Sequence, residues 1–195
     1  MSALTLLIVR HAEKPNDNDS HPGVSIEGTQ NNKSLVVRGW QRAGAWAALF
    51  GVGLGGDDYP KPDLVYAVDP NPDNNPLGTE HRPSKRSFET VKPLCDRLQL
   101  EPITKWTVGQ ETDLVSEITK LTGVVLVCWE HKHIASDILP LIVKDQTLPG
   151  LFSRWDRQRF DVVLRFDRVK FGAPWTLRQL FPRLLAGDSD IPLGR

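Results

Sequence analysis

Cysteine is nearly absent from these 195 residues: there are two, Cys95 and Cys128. One falls in a helical pattern and one at a strand end, which cannot make the framework of a small disulfide-stapled secreted domain, so free buried thiols are expected. Net charge is absent too, with 24 Lys and Arg against 24 Asp and Glu. A chain without a basic excess has no overall field to hold a nucleic acid or an anionic membrane surface, and neither is expected as a partner. Long apolar runs are missing as well. Nothing approaches the roughly 18 apolar residues of a spanning helix, and the N-terminal run is too short for a signal peptide's apolar region and cleavage site. A cytoplasmic protein is the expectation. With 39% hydrophobic and 25% charged residues, the composition suits one globular domain over 1–195 with a sizeable core.

What is present is organised around Leu6-Leu7-Ile8-Val9-Arg10-His11-Ala12-Glu13-Lys14-Pro15. Four consecutive apolar residues read as a strand buried on both faces, and the run then breaks into charged side chains. In open α/β sheets ligands bind outside the carboxyl ends of the strands, so Arg10 and His11 point toward the natural crevice. The bland alternative is a solvated strand end. Val124-Val125-Leu126-Val127-Cys128-Trp129 and Leu64-Val65-Tyr66-Ala67-Val68 are two further strands of the same kind. The first of these also runs directly into ionisable residues, Glu130-His131-Lys132-His133.

Helices alternate with these strands. Leu35 to Phe50 keeps Trp40, Ala43, Ala47 and Phe50 on one face at spacings of three and four. Ser84 to Leu98 does the same, with Ser84 as a cap, Arg86 in the first turn where free backbone N–H groups favour an anion, and Pro93 as a kink or an early stop. Leu114 to Leu121, begun near Gln110-Glu111-Thr112-Asp113, and His133 to Val143 are the remaining helices. Ile103 to Thr107 reads as a short strand, and Phe160 to Val169 as an edge strand with one wet face. Two stretches rich in turn-forming residues, about 16–33 and 69–83, read as long loops and as candidates for substrate selection. Gly51-Val52-Gly53-Leu54-Gly55-Gly56 is no dinucleotide fingerprint, because a helix precedes it where a strand is required.

Arg10-His11-Ala12-Glu13, Ser84-Lys85-Arg86-Ser87-Phe88-Glu89-Thr90 and the strand ending in Trp129-Glu130-His131 occur in the order found in one family. The chain resembles the histidine phosphatase superfamily, the phosphoglycerate mutase-like family. That resemblance implies a three-layer α/β/α sandwich with a mostly parallel central sheet. It implies a phosphoric monoester hydrolase without metal or other cofactor, acting through a phosphohistidine on a small phosphorylated metabolite or phosphoprotein. His11 would be the nucleophile, Arg10 and Arg86 the clamp on the phosphoryl oxygens, and His131 the second histidine.

The proton donor stays open between Glu111, which equally suits a helix N-terminus, and Glu13, which could instead orient His11. Lys14 either supplements the pocket or is simply solvated. His133 rivals His131, though a helix-start role suits it better. Lys132 stands where the family often has glycine, and Val36 where it often has a capping threonine. A His-x-His pair also suits a metal, but no Cys, Asp or Glu stands beside it at a zinc-site spacing, so no metal is expected. Two alternatives are a phosphoglycerate mutase, although no Glu-Arg-His-Tyr-Gly-like stretch is found, and a non-catalytic phospho-ligand binder.

Overall fold

Leu4–Arg10 is the middle strand, β1, of a five-stranded sheet in a computed structural model that describes residues 3–16, 21–53, 55–71 and 84–194. The other strands are β2 (Leu64–Ala67), β3 (Gly123–Trp129), β4 (Val163–Arg168) and β5 (Thr176–Leu180), in the order β2-β3-β1-β4-β5. β2, β3 and β1 are parallel, β4 is antiparallel to β1, and β5 is antiparallel to β4. β5 therefore runs with β1, and the mostly parallel sheet implied by the resemblance is found.

Alternation along β1 divides the core in two. Leu4, Leu6 and Ile8 face one side with Val125, Val127 and Trp129, whereas Leu7 and Val9 face the other with Leu126 and Cys128. Helices α1 (Val37–Gly51) and α2 (Arg86–Leu98) cover the second face through Trp46, Phe50, Val91 and Leu94. On the first face lie α3 (Glu111–Ile118) and a continuous helical run made of α4 (His131–His133), a π-helical turn (Ile134–Ile138) and α5 (Leu139–Val143). Each large side chain buried here contributes about 1.5–3 kcal/mol, which is what holds the layers together.

This layering makes the crevice. β1 sends the chain to α1 on one face, and its neighbour β3 sends it to α4 on the opposite face. Chain leaving in opposite directions from adjacent parallel strands opens a gap above their carboxyl ends. The register closes with Arg10 opposite Trp129, and the His11 N–H donates to the Trp129 carbonyl at 3.0 Å. The residues that follow both strands are thereby held side by side.

Several sequence expectations need correction. α2 starts at Arg86, with Lys85 as its cap residue and no side-chain capping bond, so Ser84 is not the cap; the helix passes Pro93 and ends at Leu98. Ile103 to Thr107 is not a strand. Ile103 makes one parallel bridge to Tyr66, and Pro102, which has no N–H, cannot extend the ladder backward. β4 is interior, not an edge, because β5 pairs along it. The charged residues that suggested a wet face neutralise one another: Arg165 donates to both oxygens of Asp167, and Thr5 donates to the same carboxylate. Val36 caps α1 without a side-chain bond, its N–H held by the Glu13 carbonyl. Cys95 and Cys128 are free and buried.

The loop after β1 lies against α1. The Val24 segment bridges Gln30 and Leu35, and Trp40 Nε1 donates to the Val24 carbonyl. Gly39 permits the close approach, since a Cβ there would stand 2.5 Å from the Glu13 carbonyl oxygen. Most of the 69–83 loop, and residues 17–20 of the 16–33 loop, lie outside the described residues. No helix among the described residues is long and apolar enough to cross a membrane.

Candidate active site

His11 follows β1 directly and is 2% exposed. Its Nδ1 lies 2.8 Å from the Ala12 carbonyl oxygen. A carbonyl only accepts, so Nδ1 carries the proton and Nε2 keeps a free lone pair. Burial holds the ring's proton affinity well below the usual histidine value, and Arg10, Arg86 and His131 add to this against the opposing Ala12 carbonyl. A neutral ring with a bare Nε2 is the form that can attack an electrophile.

His131 opens α4 and is 6% exposed, its ring centre 6.2 Å from that of His11. Here the tautomer is reversed. Nδ1 lies 3.3 Å from Arg10 Nη2, and a guanidinium only donates, so Nδ1 accepts and the proton sits on Nε2. That Nε2 is buried without a hydrogen-bond partner. Burial first, then Arg10, Lys132, Lys14 and Arg157, push this ring's pKa down to about 3, so it too is neutral near pH 7. The two rings thus offer one lone pair and one N–H.

Arg10 is 1% exposed and sits 3.9 Å above the Phe160 ring. Nη1 donates to the carbonyls of Asp156, Arg157 and Arg159, which pins the 156–160 segment across the end of the sheet. Nε has no partner. Burial lowers its pKa to about 9, with Glu13, Glu130 and Asp156 opposing, and it stays charged at neutral pH. Arg86 is half-buried; Nη2 donates to the Asn32 carbonyl at 2.6 Å and its Nε is likewise unpartnered. Buried donors on both guanidiniums and on His131 are what an anion would satisfy.

The other expected residues have visible duties. Glu13 is ion-paired to Arg42, with Nε 3.1 Å from both oxygens and Nη2 2.8 Å from Oε1, and Arg38 adds a contact at 3.3 Å. Glu111 receives the Gly109 N–H on both oxygens and Trp129 Nε1 on Oε1. His133 Nδ1 lies 2.9 Å from Asp137 Oδ2 and 3.5 Å from Glu111 Oε1. The fold brings to His133 two carboxylates that a zinc-site spacing in the sequence did not suggest, one from the next helical turn and one from α3. Donor atoms of Glu111, His133 and Asp137 lie within 4.8 Å of one another, the one such group among the described residues, and hydrogen bonding within it accounts for the arrangement.

Two contributors escaped the sequence reading. Thr90 accepts the Ala12 N–H and donates to the Arg86 carbonyl, joining the end of β1 that carries His11 to the helix that carries Arg86. Glu130, between Trp129 and His131, lies beside both His131 and His133. Its signal was present, as a carboxylate directly before the second histidine.

No family model matches the sequence, and no curated protein matches it. Among solved structures, a mycobacterial glucosyl-3-phosphoglycerate phosphatase aligns over 90% of this chain and 97% of its own, at 14% identity and a TM-score of 0.50. The protein histidine phosphatase SixA complexed with tungstate aligns over 91% of this chain and 97% of its own, at 15% identity and a TM-score of 0.51. The chain has the three-layer α/β/α fold of the histidine phosphatases.

Proposed function

We propose that the protein is a phosphatase that hydrolyses phosphoric monoesters through a phosphohistidine at His11, its substrate a small phosphorylated metabolite or a phosphoprotein. The observation that carries this is that the His11 and His131 rings lie 6.2 Å apart, with Nδ1 of the first turned to a carbonyl and Nδ1 of the second to the Arg10 guanidinium, which assigns them opposed tautomers. His11 Nε2 attacks phosphorus in line, Arg10 and Arg86 hold the phosphoryl oxygens, and the Nε2–H of His131 donates to one of them. Water then cleaves the N–P bond and returns His11 to its neutral form.

Positive charge for the transition state comes from fixed guanidiniums, so the scheme asks nothing of a metal ion. The SixA structure supports the reading in one further respect, since the molecule bound there, tungstate, is a tetrahedral oxyanion. With 4-nitrophenyl phosphate we expect turnover in the presence of a chelator, and His11→Ala is expected to abolish it. Equal turnover by that variant would overturn the assignment of the nucleophile.

A further inference from the structure

The leaving oxygen of a phosphate ester needs a proton, and the question of which carboxyl supplies it rests on the phosphatase reading above. Three glutamates, Glu13, Glu111 and Glu130, stand near the carboxyl ends of β1 and β3. Glu13 has both oxygens turned to the Arg42 guanidinium, and Glu111 has both turned to the Gly109 N–H, with Trp129 Nε1 on one of them. Oxygens that already accept from buried N–H donors are held by those bonds and have fewer directions left toward substrate.

Glu130 is placed differently. Its Oε1 lies 3.9 Å from His131 Nδ1 and its Oε2 3.4 Å from His133 Nε2, and a third of the side chain (32%) is exposed. Its charge bears on both Arg10 and Arg86, whereas Glu13 and Asp156 bear on Arg10 and Glu89 on Arg86. Glu130 is thus the acid shared by the two guanidiniums. The chain is extended at this residue (φ −78°, ψ 129°) as it turns from β3 into α4, so that Trp129 is fully buried while Glu130 stays at the rim. In an in-line displacement on a phosphoryl group held by Arg10 and Arg86, the ester oxygen lies opposite the attacking nitrogen and needs an acid at the rim.

We infer that Glu130 is the general acid and base of this site. As the bond from His11 Nε2 to phosphorus forms and the bond to the ester oxygen breaks, the Glu130 carboxyl gives its proton to the leaving oxygen and becomes a carboxylate. In the second half that carboxylate takes a proton from the attacking water, the N–P bond breaks, and inorganic phosphate, neutral His11 and the carboxyl are restored.

The test compares leaving groups. Single-turnover phosphoenzyme formation is measured with 4-nitrophenyl phosphate, whose phenolate leaves readily, and with phenyl phosphate, whose leaving oxygen needs the proton. Glu130→Gln is expected to slow the phenyl ester about 100-fold or more and the nitrophenyl ester less than about tenfold. Glu130→Asp, which keeps a carboxyl, should recover part of the phenyl rate, and Glu111→Gln should open no such gap between the two esters. An equal loss on both esters in Glu130→Gln, or the gap appearing in Glu111→Gln instead, overturns the assignment of Glu130 while His11-dependent turnover stands. Wild-type turnover that survives His11→Ala removes the phosphohistidine scheme and this assignment with it.

Discussion

Thr90 Oγ1 accepts the backbone N–H of Ala12 at 2.8 Å, one residue past His11. The same hydroxyl donates to the Arg86 carbonyl at 2.7 Å, so one oxygen sets the spacing between β1's end and the first turn of α2. Thr90 is fully buried. Thr90→Val keeps the shape and removes the acceptor, leaving a buried N–H unsatisfied at a cost of about 1–3 kcal/mol. We expect a lower urea midpoint and a reduced kcat, with Thr90→Ser recovering most of both. A kcat unchanged in Thr90→Val would show that this spacing does not matter to the chemistry.

Arg42 is a second tie, on the other flank of His11. Its guanidinium donates to both oxygens of Glu13 and both of Asp188, and all three side chains are buried. Burial alone would lower the proton affinity of Arg42; the bonds to Asp188 and Glu13 raise it above the usual arginine value. Arg42→Met fills the space but strands two carboxylates, and breaking a buried pair in this way costs about 3–5 kcal/mol. Arg38, half-exposed and 3.3 Å from Glu13, compensates in part, so the lower end of that range is expected in chemical denaturation. A loss below about 1 kcal/mol would mean that Arg38 alone suffices.

The strands of the parallel half and the residues at their ends were legible because buried strands are unbroken apolar runs, and each run here stops where chemistry begins. β5 was not legible. Thr176-Leu177-Arg178-Gln179-Leu180 is a half-polar edge strand whose pairing is decided by β4 rather than by its own pattern. The reading of β4 as an edge failed for a related reason: Arg165 and Asp167 cancel one another only once the chain is folded. The carbonyls of Asp156, Arg157 and Arg159 that seat Arg10 have no signature at all, since every residue has a carbonyl. Glu130 was overlooked inside the very motif that pointed to His131.

Two neutral buried imidazoles make stability depend on pH in a definite direction. Both rings bind protons less readily in the folded protein than in the unfolded chain, His131 at about 3 and His11 well below the ordinary value near 6.5. Below pH 6.5 the unfolded chain therefore binds protons that the folded protein does not, and unfolding is favoured as pH falls. The stabilisation is complete above about pH 6.5 and is lost progressively toward pH 3, by up to roughly 1.4 kcal/mol per pH unit for each ring. Glu89 opposes this, its carboxyl raised by burial, but acts nearer the carboxylate range. We expect the urea midpoint to fall between pH 6.5 and 5, and His131→Gln to remove up to half of that slope. A midpoint flat across this interval would contradict the buried neutral rings.

The reversed tautomers also predict which amide can stand in for which histidine. The side-chain N–H of glutamine reaches the position of an imidazole Nε2, whereas that of asparagine reaches Nδ1. In the proposed scheme the His131 proton that serves the phosphoryl oxygen is on Nε2, and Nδ1 is turned to Arg10 Nη2. His131→Gln therefore keeps a donor toward the phosphoryl oxygen, while His131→Asn turns its amide oxygen to accept from Arg10 Nη2 but is too short to reach the phosphoryl oxygen, which is left unsupported. Losing one such donor costs about 100- to 1,000-fold in kcat. His131→Asn should show that full loss and His131→Gln a loss smaller by about tenfold or more. At His11 neither amide supplies a nucleophilic lone pair, because amide nitrogen is delocalised into its carbonyl, so both variants should be equally inactive. Asparagine outperforming glutamine at position 131 would mean that the proton sits on Nδ1 and that Arg10 is oriented by some other acceptor.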